Sequence, residues 1–170
     1  MTAKRLITRL PLLAMLLLGA ACGESTDETP EAAIALTLTA AGGTFTGTGA
    51  LAGVVLVVPA DAVTESTAAW MAPPAAARPL PETGALVGPE VEFGPAALTL
   101  ARPARLELPF DPSAVTAQGQ DIDHVKVWRV GPDGWQIATP AEPPRADEAA
   151  GRVVLETEAL TRFGAGVERP

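Results

Sequence analysis

Nucleophilic and metal chemistry draw on cysteine, histidine, serine and carboxylates held at fixed spacing, and this chain carries few of the first three. Cys22 is the single cysteine, His124 the single histidine, and the serines are Ser25, Ser66 and Ser113. A serine hydrolase needs serine, histidine and an acid in one constellation. None of these serines stands in a Gly-x-Ser-x-Gly setting. A zinc site wants several histidine or cysteine ligands, so zinc is not expected. Asp111, Asp121 and Asp123 would approach one another if the ends of their loop meet, yet the Asp-x-Asp-x-Asp-Gly pattern of a calcium loop is absent. They read as a solvated acidic loop, with His124 a surface residue at the start of a strand. Gly42-Gly43 precedes a strand rather than a helix, and so lacks the N–H cradle of a phosphate loop. The expectation is a protein with no catalytic residue, no metal and no cofactor.

Two further residue sets remain. Trp70, Trp128 and Trp135 are the large aromatic groups in a chain without tyrosine. Tryptophan offers a stacking face for sugars and is enriched at binding hot spots. Trp128 and Trp135, on strands flanking the turn Gly131-Pro132-Asp133-Gly134, are therefore the candidate binding pair, set against packing in the core or at its rim. The other set is Cys22 and what precedes it. Lys4, Arg5 and Arg9 form a basic start, Leu10 to Ala21 an apolar run, and Gly19-Ala20-Ala21 a small-residue approach to Cys22. That is the layout of an export signal, with an apolar run too short to span a bilayer comfortably. The segment resembles the signal of bacterial lipoproteins, with Gly19 standing where their lipobox usually has leucine. The resemblance implies cleavage after Ala21, a diacylglyceryl group of palmitate-type chains on Cys22, and a membrane-anchored place in the cell envelope, facing periplasm or exterior.

Composition limits the partners. The formal net charge is −8, and three of the 12 basic residues lie in the first nine positions, so the segment from Cys22 onward is more acidic still. Such a surface is repelled by nucleic acid. One cysteine leaves no disulfide within the chain, so the fold rests on burial. Sixteen glycines and 17 prolines point to many turns and short strands.

Residues 23–33 show no apolar periodicity and read, with Cys22, as an acidic spacer over 22–33. From Ile34 the signal is period two, Ile34, Leu36 and Leu38 alternating with Ala35, Thr37 and Thr39. Leu51 to Val58, dense in β-branched residues, reads as a central strand, and Thr67 to Ala72 as a further strand around Trp70. Val91 and Phe93 alternate with Glu92. Leu106, Leu108 and Phe110 alternate with Arg105, Glu107 and Pro109, and Val153 and Leu155 with Val154 and Glu156. Pro103 cannot donate to a ladder and belongs at an edge or a bend. Residues 73–90 read as an irregular crossover, 111–123 as a polar loop and 139–151 as a proline-rich acidic loop. No stretch keeps a helical period. The expectation is all-β: a β-sandwich of about eight or nine short, mostly antiparallel strands over 34–168, behind a signal at 1–21.

Four blocks then occur in order: Gly42-Gly43-Thr44, VVPADAV (57–63), VGPEVEFGPAALTLARPARLELPFD (87–111) and VWRVGPDGW (127–135), ending near Arg162-Phe163-Gly164. Together they resemble the ZU-five domain, the β-sandwich of ankyrins, netrin receptors and zonula-occludens proteins. The resemblance covers roughly 40–168 and implies protein recognition or scaffolding. Some of these relatives cut themselves at a His-Phe-Ser motif. The matching positions are Arg162, Phe163 and Gly164, a degenerate form without hydroxyl or base. The leading expectation is a lipid-anchored, non-enzymatic envelope protein that binds an unknown envelope protein. The alternative is a carbohydrate-binding module using exposed tryptophans against a glycan.

Overall fold

The computed structural model describes residues 29–96, 98–138, 145–147 and 150–169, with backbone alone at 145–147. The stretch expected as a signal, 1–21, and Cys22 lie outside the described residues. Among the described residues eleven strands form two antiparallel sheets, so the chain is an all-β sandwich.

The first sheet holds β1 (Ile34–Leu38), β4 (Thr67–Ala72), β5 (Gly84–Gly94), β11 (Arg162–Glu168), β7 (Lys126–Gly131) and β8 (Gly134–Ile137), in that spatial order. The second holds β2 (Gly43–Thr46), β3 (Val55–Val58), β6 (Leu98–Pro109), β10 (Arg152–Leu160) and β9 (Arg145–Asp147). Consecutive strands repeatedly fall in different sheets, and the last two long strands each insert into the middle of one sheet.

Period-two alternation decides which side chains meet. Phe45, Leu56, Leu106 and Leu155 stand opposite one another across four strands of the second sheet. The last three are buried in the core, with Phe45 packed against it. The residues between them, Arg105, Glu107 and Glu156, turn outward. The first sheet answers with Leu36, Leu38, Met71, Val91, Phe93, Val127, Phe163 and Val167. Each such side chain stabilises the fold by roughly 1.5–3 kcal/mol on burial. Among the described residues no polar or charged residue is fully buried.

Four segments differ from the sequence expectation. The strand expected over Leu51 to Val58 is shorter, since Gly49–Leu51 forms a single 3-10 turn and β3 starts at Val55. The irregular crossover ends at residue 83, because β5 starts at Gly84 and runs through Gly88-Pro89. The β11–β5 register shifts between Gly164 and Gly166, which absorbs that Gly-Pro pair without ending the strand. The polar loop after Asp111 contains α1 (Pro112–Ala117), too short to leave a periodic signal. Its cap is local: the Asp111 side chain accepts from the Ser113 backbone N–H, with proline in the first turn. The proline-rich loop 139–151 contains the three-residue β9.

Pro103 sits within β6. The β6–β10 pairing slips between Thr157 and Ala159, and the Thr157 hydroxyl bonds both the N–H and the C=O of Ala159. The irregular stretch is thereby satisfied by a side chain instead of a ladder.

Phe163 is fully buried and meets Phe93 edge-on, with ring centroids 6.2 Å apart. Truncation by Phe163→Ala is expected to cost about 3–5 kcal/mol, a large part of the 5–15 kcal/mol typical of a domain. Urea unfolding followed by tryptophan fluorescence checks this, and a loss below about 1 kcal/mol would mean the site closes over the gap.

Candidate functional site

β11 is the strand on which the site depends. Its inward residues Phe163, Ala165 and Val167 are fully buried. Its outward residues are Arg162, Gly164, Gly166 and Glu168, so two outward positions carry no side chain. The β7 neighbour of Gly164 is Trp128. A Cβ at Gly166 would stand 2.8 Å from Trp128 Cδ1 and 2.9 Å from its Nε1, and one at Gly84 would stand 3.1 Å from its Cη2. The indole therefore lies against the backbones of β11 and β5, in a trough that only glycine leaves open. Gly164 is similarly capped by Leu86, whose Cδ2 is 2.8 Å from where a Cβ would be.

The proline-rich segment 73–83 crosses this outer face as a strap. Leu80 packs over Gly84 beside the Trp128 ring. Trp135 Nε1 donates to the Arg78 carbonyl at 2.9 Å, and Arg162 Nη1 donates to the Ala76 carbonyl at 3.0 Å. These two bonds hold alternate carbonyls of a segment whose residues 75–79 are all exposed. Proline limits the chain entropy lost in holding it there.

Under the strap is a charged group of three. Arg162 stands opposite Glu92 across β11 and β5, and its Nη2 donates to Glu92 Oε2 at 2.7 Å. Its Nη1 is 3.8 Å from Glu90 Oε2, an ion-pair distance without a hydrogen bond. Glu90 Oε2 is buried and accepts no hydrogen bond. Burial pushes the Glu90 carboxyl above the usual carboxylate range, Arg162 pulls it back, and Glu92 adds repulsion. One guanidinium thus serves two carboxylates and a strap carbonyl.

Beside this cluster an open cleft of about 200 Å³ is lined by Arg78, Glu92, Phe93, Ala96, Val130, Leu160, Thr161 and Arg162. Its apolar lining is buried Phe93 and Leu160 with half-buried Val130. It lies where the strap, the β5–β6 turn and the β10–β11 corner at Thr161 meet.

The tryptophan expectation is corrected by this arrangement. Trp128 is 3% and Trp135 7% exposed, so neither offers a sugar a free ring face. They lie outside the inter-sheet core, on the outer face, and the strap covers them. Trp70, half-buried, is stacked over Gly94, where a Cβ would stand 2.2 Å from its ring. Arg162, Phe163 and Gly164 form the start of β11, with Phe163 and Gly164 paired to β5 on one side and β7 on the other. Arg162 is an ion-pair hub, Phe163 a core ring and Gly164 a packing gap. Cys22 lies outside the described residues. Asp121, Asp123 and His124 bring one ligand atom each within 4.8 Å of one another, all exposed. They fall short of the six to eight oxygens calcium takes. Asp111 is absent from that set, since its Oδ1 accepts from both the Ser113 backbone N–H and hydroxyl, which holds its carboxyl below the usual range.

Sequence reasoning passed over Glu90, Arg78 and the strap. The signal for the first was available: Glu90 and Glu92 are two apart on one strand, hence on one face, and Arg162 begins the strand that pairs there. Nothing in the sequence of 73–83 showed which surface it would cover.

Among family models, that of the ZU5 domain matches residues 34–129. No curated protein matches the chain.

Two outcomes follow from the outer face. Glu90→Gln is expected to stabilise the fold at neutral pH. The Glu90 carboxyl is raised on folding, so its stability contribution is present below its unfolded pKa and lost as pH rises through the folded one. The variant's advantage should therefore vanish near pH 4 in urea titrations run across pH, and an advantage that persists there would refute the assignment. Trp135→Phe keeps an aromatic ring, though a smaller one, and removes the bond to the Arg78 carbonyl, worth about 1 kcal/mol. Elastase, which cuts after small residues, should then cleave the Ala75–Ala77 stretch faster than in the parent; an unchanged rate would show that the bond does not hold the strap.

Proposed function

The chain belongs to the ZU5 domain family, a family of protein-interaction domains rather than enzymes, and on that premise we propose that it is a lipid-anchored recognition module of a bacterial cell envelope. Its anchor in this reading is a diacylglyceryl group on Cys22, and residues 23–33 are the spacer between membrane and sandwich. Two or more acyl chains suffice for stable attachment. The sandwich at 34–168 then faces the periplasm or the exterior.

The observation that carries the recognition role is the strap. A partner that binds a mobile loop must order it, at roughly 0.5–1.5 kcal/mol for each immobilised side chain. Here residues 75–79 are exposed, while the Trp135 and Arg162 bonds hold their carbonyls on the outer face. A binding surface set in advance avoids much of that cost. The cleft opens beside it, so apolar and charged lining residues and a fixed loop lie together.

A single experiment on the full chain in its own membranes tests both parts. A photo-crosslinking residue placed at Ala77, which is exposed, should capture the same envelope protein repeatedly, and the intact mass should equal residues 22–170 plus the lipid. The Cys22→Ser variant should leave the membrane fraction. Failure of Ala77 to capture any reproducible protein would remove the recognition role, and retention of Cys22→Ser in the membrane would remove the anchor.

A further inference from the structure

The cleft beside the strap lacks the acidic excess of the protein around it. Its lining holds two guanidiniums, Arg78 and Arg162, and one carboxylate, Glu92, while Glu90 faces Arg162 just outside the lining, in a chain of net charge −8. The Arg162–Glu92 pair is internally satisfied at 2.7 Å. Arg78 is exposed, and among the described residues its side chain has no ion-pair partner. Its backbone is fixed all the same, because its own carbonyl accepts from Trp135 and the carbonyl two residues before accepts from Arg162. The result is one uncommitted guanidinium held at a cleft whose apolar lining is half-buried Val130 with Phe93 and Leu160.

Size narrows what enters. Small-molecule and cofactor sites usually measure about 300–1,000 Å³. At about 200 Å³ and open to solvent, this cleft holds one residue-sized group whose remainder continues outside. Charge narrows it further: a planar guanidinium with free donors matches a carboxylate in a two-point contact.

The geometry points to capture of a partner polypeptide by its C-terminus, an apolar last side chain entering the cleft and its terminal carboxylate meeting Arg78. This rests on the recognition role proposed above and names the chemistry of the partner. The Arg162–Glu92 pair remains the fixed wall of the site.

The test uses the whole protein and two fluorescent pentapeptides ending in leucine, one with a free carboxylate and one with a carboxamide, read by anisotropy. The free acid is expected to bind at least about tenfold more tightly than the amide, a difference of about 1.4 kcal/mol. Arg78→Ala should erase that preference and Arg78→Lys should keep part of it, since lysine supplies the charge without the fork. Because Arg78 is exposed, both variants should unfold at the parent's urea midpoint. Equal affinity for acid and amide, a preference that survives Arg78→Ala, or no binding of either peptide up to about 1 mM would overturn the proposal. Isovalerate displacing the peptide mole for mole would overturn it in favour of a free small carboxylate. Failure of this proposal and of the recognition role separate cleanly. A protein captured at Ala77 whose binding ignores a blocked C-terminus sinks only the carboxylate site. Peptide binding without any protein captured at Ala77 sinks only the recognition role.

Discussion

A strand buried on both faces is the constraint from which the rest follows. Antiparallel sheets commonly keep one face in water. β11 cannot, because Trp128 and the 73–83 strap cover the outer side of a strand whose inner side is already core. Two glycines make this possible. At Gly164 and Gly166 the missing side chains leave a trough one indole deep, and Trp128 and Leu86 fill it. Any side chain at Gly166 would meet the Ala85 carbonyl at 2.7 Å as well as the ring. The outer layer is therefore tied to the sheet backbone, and the strap's place is set by what the glycines omit.

The same layer explains why a charged cluster is tolerated. Arg162 lies mostly out of water, which alone would be costly. It recovers hydrogen bonds from Glu92 and from the Ala76 carbonyl on the strap. Glu90 is the unbalanced member, with a buried oxygen that accepts nothing. Removing Arg162 would leave two neighbouring carboxylates facing each other and the strap without one of its bonds. The cluster is thus a joint between sheet and loop more than a store of stability.

How much of this was legible depended on the range of the interactions. Strands such as Ile34–Leu38 were readable because period two is a local property, and Leu106 and Leu108 announced an inward face at once. The same rule placed Trp128 on the face opposite Val125 and Val127. What it could not give was the cover. Trp128 and Trp135 could be read as a binding pair or as packing, and they pack because a loop some 50 residues earlier folds over them. α1 was missed for a different reason: six residues capped by Asp111 and Pro112 hold too little sequence for a period. β5 was read short because Gly88-Pro89 looks like a terminator, whereas a register shift carries the strand past it.

The extent of the family match has its own structural meaning. It ends at residue 129, before β8, β9, β10 and β11. Yet β11 lies between β5 and β7, and β10 pairs with β6. The matched segment by itself would leave β5 and β7 without their shared neighbour, and would expose Val91 and Val127 where Phe163 and Ala165 now stand. A chain ending there would present open ladders in both sheets, the arrangement that invites pairing with other chains. The residues beyond 129 thus close the sandwich, and through Arg162 and Trp135 they also fix the strap. In this protein the element that completes the fold and the element that positions the candidate site are the same C-terminal strands.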